Sequence, residues 1–141
     1  MFWDSSAIVP YLVPEEWSRE AATLLSDDRA PVLWWASPVE CVSALERRRR
    51  EGGLRQESYD EARRRLTELV GLMDSVEAHP IVRERAVRLL GVHPLRSSDA
   101  LQLAAALVYC DERPQEEPFV CLDERLREAA ALEGFLVVPQ R

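Results

Sequence analysis

Phe119-Val120-Cys121-Leu122-Asp123-Glu124-Arg125-Leu126 is a short apolar run that stops at an acid and passes directly into a helix-forming segment. Consecutive apolar side chains of this kind are what a strand covered on both faces carries, so 119–122 is expected as a buried strand and the residues to Leu132 as a helix. The same order opens the chain. Phe2-Trp3-Asp4 is a very short strand, Ser5 and Ser6 are placed to cap a helix through Ala7, Ile8, Tyr11 and Leu12, and Pro14 ends it.

Working outward, a second helix is expected over 15–25, with Trp17, Ala21, Leu24 and Leu25 on one face, and a strand over 31–35. Ser37-Pro38 marks the next helix start, with Ser37 as N-cap and Glu40 at the third helical position, a capping-box spacing; Gly52-Gly53 should stop it. Over 57–74 the positions Ala62, Leu66, Leu69, Val70 and Met73 recur at three and four residues, giving an amphipathic helix with an arginine-rich outer face. A short strand over 76–78, a helix over 81–90, and the connector His93-Pro94-Leu95 follow. The helix after Ser98-Asp99 is apolar nearly all round and should be the central, buried one, and 135–138 is a last strand. Short apolar runs alternating with helical periods predict an α/β fold with a central, mainly parallel sheet of four or five short strands, in one domain over 1–141.

The balance of 18 Lys plus Arg against 25 Asp plus Glu gives a formal charge of -7. That argues against a protein that grips nucleic acid mainly by neutralising phosphates, so any such chemistry must arise locally. No apolar run approaches the roughly 20 residues that span a bilayer, and the N-terminus lacks the basic start of a signal peptide, so a cytoplasmic protein that uses no membrane is expected. Cys41, Cys110 and Cys121 show no paired zinc-site spacing and are expected as buried thiols.

In parallel sheets ligands bind beyond the carboxyl ends of the strands. Asp4 and Asp123 follow strands there, Glu40 lies one turn into the helix after the second strand, and Asp99 stands in the first turn of the central helix, so all four can face one crevice. Each alone has an ordinary reading as a helix cap or turn former. Together they would repel one another and raise one another's pKa unless a counter-charge is present. A hard divalent cation supplies it, and magnesium, which takes few carboxylates and completes its shell with water and phosphate oxygens, points to phosphate-ester chemistry.

Four blocks carry a family resemblance: Trp3-Asp4-Ser5-Ser6-Ala7-Ile8-Val9, Ser37-Pro38-Val39-Glu40-Cys41-Val42-Ser43-Ala44-Leu45, Leu95-Arg96-Ser97-Ser98-Asp99-Ala100-Leu101-Gln102-Leu103-Ala104, and Phe119-Val120-Cys121-Leu122-Asp123-Glu124-Arg125-Leu126. In this order they resemble the acidic blocks of PIN domains, and the whole chain is most similar to VapC toxins of toxin–antitoxin pairs. The resemblance implies a three-layer α/β/α PIN-like fold and an endoribonuclease dependent on Mg2+, with Mn2+ as a substitute. It also implies a homodimer, and inhibition by a cognate VapB-like antitoxin whose tail enters the acidic groove. By the same resemblance Asp4, Glu40, Asp99 and Asp123 are the catalytic, metal-binding acids, and Ser6 and Ser97 support them by hydrogen bonds. The chain departs from the family pattern at Pro10 and at Ser97. Two alternatives stand beside this reading: a PIN-fold module that binds RNA or protein without cutting, and a nuclease directed at DNA.

Arg96 and Arg125 flank Asp99 and Asp123 and are candidates for phosphate contact or for pairing with the acids. Arg47 to Arg50 are read instead as a solvated helix face paired with Glu46 and Glu51. Trp3, Trp17, Trp34 and Trp35 are read as core or dimer packing, and His79 and His93 have no plausible triad partner.

Overall fold

The computed structural model describes residues 1–140. Five strands and seven helices follow one another: β1 (Phe2–Trp3), α1 (Ser5–Leu12), α2 (Ser18–Asp27), β2 (Val32–Trp34), α3 (Ser37–Arg50), α4 (Gln56–Leu72), β3 (Asp74–Val76), α5 (Pro80–Val92), α6 (Ser97–Tyr109), β4 (Pro118–Val120), α7 (Glu124–Glu133) and β5 (Leu136–Val138). The sheet runs β3-β2-β1-β4-β5, and every pairing in it is parallel. This agrees with the expected α/β class and is consistent with a PIN-like fold.

Alternation along the strands sorts the core into two layers. Phe2, Val32, Trp34 and Phe119 face one way and pack with buried side chains of α5, α6 and α7, among them Leu89, Leu103, Leu107 and Leu126. Trp3, Leu33 and Val120 face the other way and pack with Ile8, Leu12, Cys41, Leu45, Leu66 and Leu69 of α1, α3 and α4. Phe2 and Phe119, in register on neighbouring strands, stack with ring centroids 5.5 Å apart. As expected, α6 is the buried helix: Ala100 and Leu103 through Leu107 are all covered. No described helix is long and apolar enough to cross a membrane.

The caps differ from expectation in an instructive way. Asp4, and neither Ser5 nor Ser6, is the N-cap of α1, accepting a hydrogen bond from the Ser6 N–H. In α3 the N-cap is Ala36 without a side-chain bond; Ser37 and Glu40 form no capping box, because both side chains are drawn sideways to other helices. Helix α2 starts at Ser18 rather than near Glu15, since the Ser18 hydroxyl donates to the Val13 carbonyl and accepts from the Glu15 N–H, tying 13–18 into a turn. Strand β3 lies at 74–76 rather than 76–78, where the Pro31 carbonyl takes the Asp74 N–H. Helix α3 ends at Arg50, and Gly52, at φ 78°, carries the left-handed turn that follows.

Of the four tryptophans, Trp3 and Trp34 are core residues, Trp17 is half-buried and Trp35 is exposed. Cys41 and Cys121 are buried as expected, whereas Cys110, at the end of α6, is only partly covered.

Candidate active site

Strand order reverses direction between β1 and β4, because β2 and β3 lie on one side of β1 and β4 and β5 on the other. A crevice opens at such a reversal beyond the carboxyl ends of the two strands. Asp4 follows β1 there and Asp123 follows β4 as the N-cap of α7.

Asp4 is buried, and three groups donate to its Oδ2: the Ser6 N–H at 2.9 Å, the Ser6 hydroxyl, and the Cys121 thiol at 3.7 Å. The Ser6 Oγ in turn accepts from the Leu122 N–H at 2.9 Å and the Asp123 N–H at 3.2 Å, so one hydroxyl locks the start of α1 onto the β4–α7 turn. Glu40 is half-buried; its Oε2 accepts from the Ser5 hydroxyl at 2.9 Å and its Oε1 from the Gln102 amide at 3.1 Å. Asp99, in the first turn of α6, accepts a long 3.3 Å bond from the Arg96 N–H. Asp123 is exposed and accepts from the Leu126 N–H at 3.0 Å.

Asp4, Glu40 and Asp99 each feel the charge of a neighbouring acid. Burial raises the pKa of Asp4, and the charge of Asp99 adds to it, against the bonds from Ser6. Burial likewise lifts Glu40 to about 7, helped by Asp4 and Asp99. Asp99 is raised by burial and then by Asp123, while the Arg96 backbone bond and the Arg96 and Arg125 charges offset part of the rise. Carboxylates from four separate segments, one on α3, one on α6 and two at strand ends, therefore share one negative potential.

Among the described residues, no group of three or more His, Cys, Asp or Glu side chains is arranged, as it stands, to hold a metal ion. Magnesium does not require such a cage: it is bound through one or two carboxylates, with water and phosphate oxygens as its remaining ligands. The all-oxygen donor set and its only partly compensated charge fit that mode. Burial pushes the pKa of Cys41 and of Cys121 well above the ordinary thiol range, and sulfur is too soft a donor for magnesium in any case.

Ser6 bonds Asp4, while Ser97 is exposed at the first position of α6 and makes none of the bonds to the acids described above. Arg96 and Arg125 are exposed and act on Asp99 through their charge. In the basic run of α3, Arg49 pairs with Glu46 as expected, whereas Arg48 makes a partly buried pair with Glu15, in the turn before α2, rather than with an acid of its own helix. His79 caps α5 and His93 contacts Glu133 at 2.7 Å. The sequence marks Ser5 and Ser37 only as helix caps and Cys121 only as a buried thiol, and it gives Gln102 no role. The signal for Gln102 was available: it is a lone amide in an apolar run, three residues after Asp99 and so on the same helix face.

No protein-family model and no curated protein matches the chain. Among solved structures it is similar in fold to a chain of a toxin–antitoxin complex from Klebsiella pneumoniae, with a TM-score of 0.59 and 16% sequence identity, covering 86% of this chain and 85% of that one. At that identity the likeness is one of fold, and it extends over most of both chains.

Proposed function

We propose that this chain is a metal-dependent endoribonuclease, the toxin of a VapBC-type pair, that hydrolyses RNA phosphodiesters at the crevice beside Asp4. The observation that carries the reading is the convergence at the strand reversal of carboxylates from separate elements, whose pKa values burial raises and the charges of neighbouring acids raise further. Asp4 and Asp99, with Glu40, are the acids that would hold a first Mg2+ or Mn2+, and Asp123 would act through water or a second ion. A bound divalent ion supplies activation of water and stabilisation of the charge that develops on phosphate oxygens.

The chain's own residues prepare that crevice. Ser6 fixes the Asp4 carboxylate and joins it to the turn that carries Asp123. Ser5 and Gln102 hold Glu40 from two sides. Arg96 and Arg125, exposed near Asp99, are the cations that would meet substrate phosphates. The chain of similar fold from Klebsiella pneumoniae belongs to a toxin–antitoxin complex, which supports an antitoxin as the partner here; that the antitoxin is VapB-like and that it binds a homodimer of this one-domain chain in the cytoplasm are parts of the proposal.

Single-stranded RNA and DNA of one sequence, incubated with the protein and Mg2+ with and without EDTA, test the proposal. Cleavage of RNA alone, abolished by EDTA and by Asp4→Asn in a folded protein, is the expected result. Full activity of Asp4→Asn refutes the site. Equal cutting of DNA makes the chain a DNA-directed nuclease, and binding of RNA without cutting by the wild type makes it a binding module.

A further inference from the structure

Helix α6 is apolar wherever it is buried, except at Gln102, which is 0% exposed. Its Nε2 donates to the Ser37 hydroxyl at 2.9 Å and to Glu40 Oε1 at 3.1 Å, whereas its Oε1, also buried, has no hydrogen-bond partner among the described residues. Leaving a buried carbonyl unpaired destabilises a fold, and an apolar side chain of similar volume would fill the space without that penalty. Packing therefore does not account for an amide at this position; what its nitrogen does is the better account.

We propose that Gln102 is a positioning residue that holds the Glu40 carboxylate toward Asp4 and Asp99. Ser37, three residues before Glu40 on α3, fixes the plane of the amide, so the second Nε2 hydrogen is aimed at one Glu40 oxygen. Ser5, next to Asp4, takes the other oxygen. Glu40 is thus tied to α1, which Asp4 caps, and to α6, which carries Asp99. Three acids on separate helices acquire one fixed arrangement through two neutral donors that add no charge of their own. Without Gln102, the half-buried Glu40 keeps only the Ser5 bond and is free to turn to solvent. The consequence for ion binding rests on the metal-dependent reading above; the placement of Glu40 does not.

The test combines a crystal structure of Gln102→Met with calorimetric titration of Mn2+ into the wild type and the variant. Glu40 is expected to leave its place in the variant. Mn2+ affinity should fall by roughly 10–100-fold, the usual effect of removing a group that orients a ligand, while the melting temperature changes little, because the bond lost at the buried Ser37 hydroxyl offsets relief of the unpaired Gln102 carbonyl. In a Glu40→Gln background the Gln102 substitution should weaken Mn2+ binding no further. Should Gln102→Met fail to fold, Ser37→Ala, which frees the amide plane, gives the same changes in smaller size. A Glu40 that stays in place in these variants, or an added loss in the Glu40→Gln background, overturns the proposal. A displaced Glu40 in a protein whose wild type binds no Mn2+ upholds the positioning role and sinks the metal reading instead.

Discussion

Helix α4 and the crevice beyond β1 and β4 use the same carboxylates to opposite effect. On α4, Glu61 faces Arg64 at 2.6 Å and Arg65 at 3.3 Å, and Arg64 also meets Glu68. The hydrogen bond from Arg64 holds the Glu61 carboxyl below its ordinary pKa. In the crevice none of the described arginines pairs with Asp4 or Glu40; their neighbours are hydroxyls, an amide, a thiol and one another, and burial moves both pKa values up. An acid is thus informative about chemistry according to what surrounds it. Exposed, paired acids on a helix face add little to stability and mark solvent. Partly buried acids that face one another represent strain that a cation would relieve.

The largest expected effect comes from removing charge at the centre of the crevice. Asp4→Asn should lower RNA cleavage by at least about a hundredfold, the order seen when one group that stabilises developing charge is lost. Its fold should be as stable as the wild type or more so, since burial of the charged form works against folding. Gel-resolved cleavage rates together with a thermal melt check both parts.

Adding the cation comes next. At neutral pH, Mg2+ at about a hundred times its dissociation constant should stabilise the wild type by about 2.7 kcal/mol, read as a rise in melting temperature that Asp4→Asn largely loses. A chelator should return the wild type to its starting point.

A pH series in EDTA gives a smaller effect with a definite sign. The folded-state pKa of Glu40, about 7, lies above its ordinary 4.5, so the folded state binds this proton more tightly than the unfolded one. Its contribution to stability is therefore fully present below about 4.5, is lost as pH rises through about 7, and stays absent above. Melting temperatures of the wild type and Glu40→Gln should diverge over that window, with the variant gaining relative to the wild type as pH increases. Parallel curves would contradict the burial of Glu40 beside Asp4 and Asp99. The smallest effect belongs to α4: Glu61→Gln should leave cleavage and melting temperature unchanged within error.

Much of this contrast was legible in the sequence, for identifiable reasons. Short apolar runs such as Phe119-Val120-Cys121-Leu122, each stopping at a polar residue, mark buried parallel strands, and the acids just after them mark the rim where ligands bind. Strand β3 was harder to place because Asp74 and Ser75 are exposed at the edge of the sheet and carry no apolar signal. The caps misled for a similar reason. Ser5, Ser37 and Glu40 have the composition of helix starts, yet each side chain reaches across to another helix. Local spacing states what a helix start needs; it is silent about partners 35 or 62 residues away that meet only when the sheet assembles.

Crystals grown with Mn2+ and measured for anomalous scattering bear most directly on whether these acids form one ion site. The account predicts a peak about 2.1 Å from an oxygen of Asp4 and within reach of Asp99 or Glu40, lost in Asp4→Asn. A crevice without such a peak in the wild type, or an ion bound only elsewhere on the surface, would contradict it.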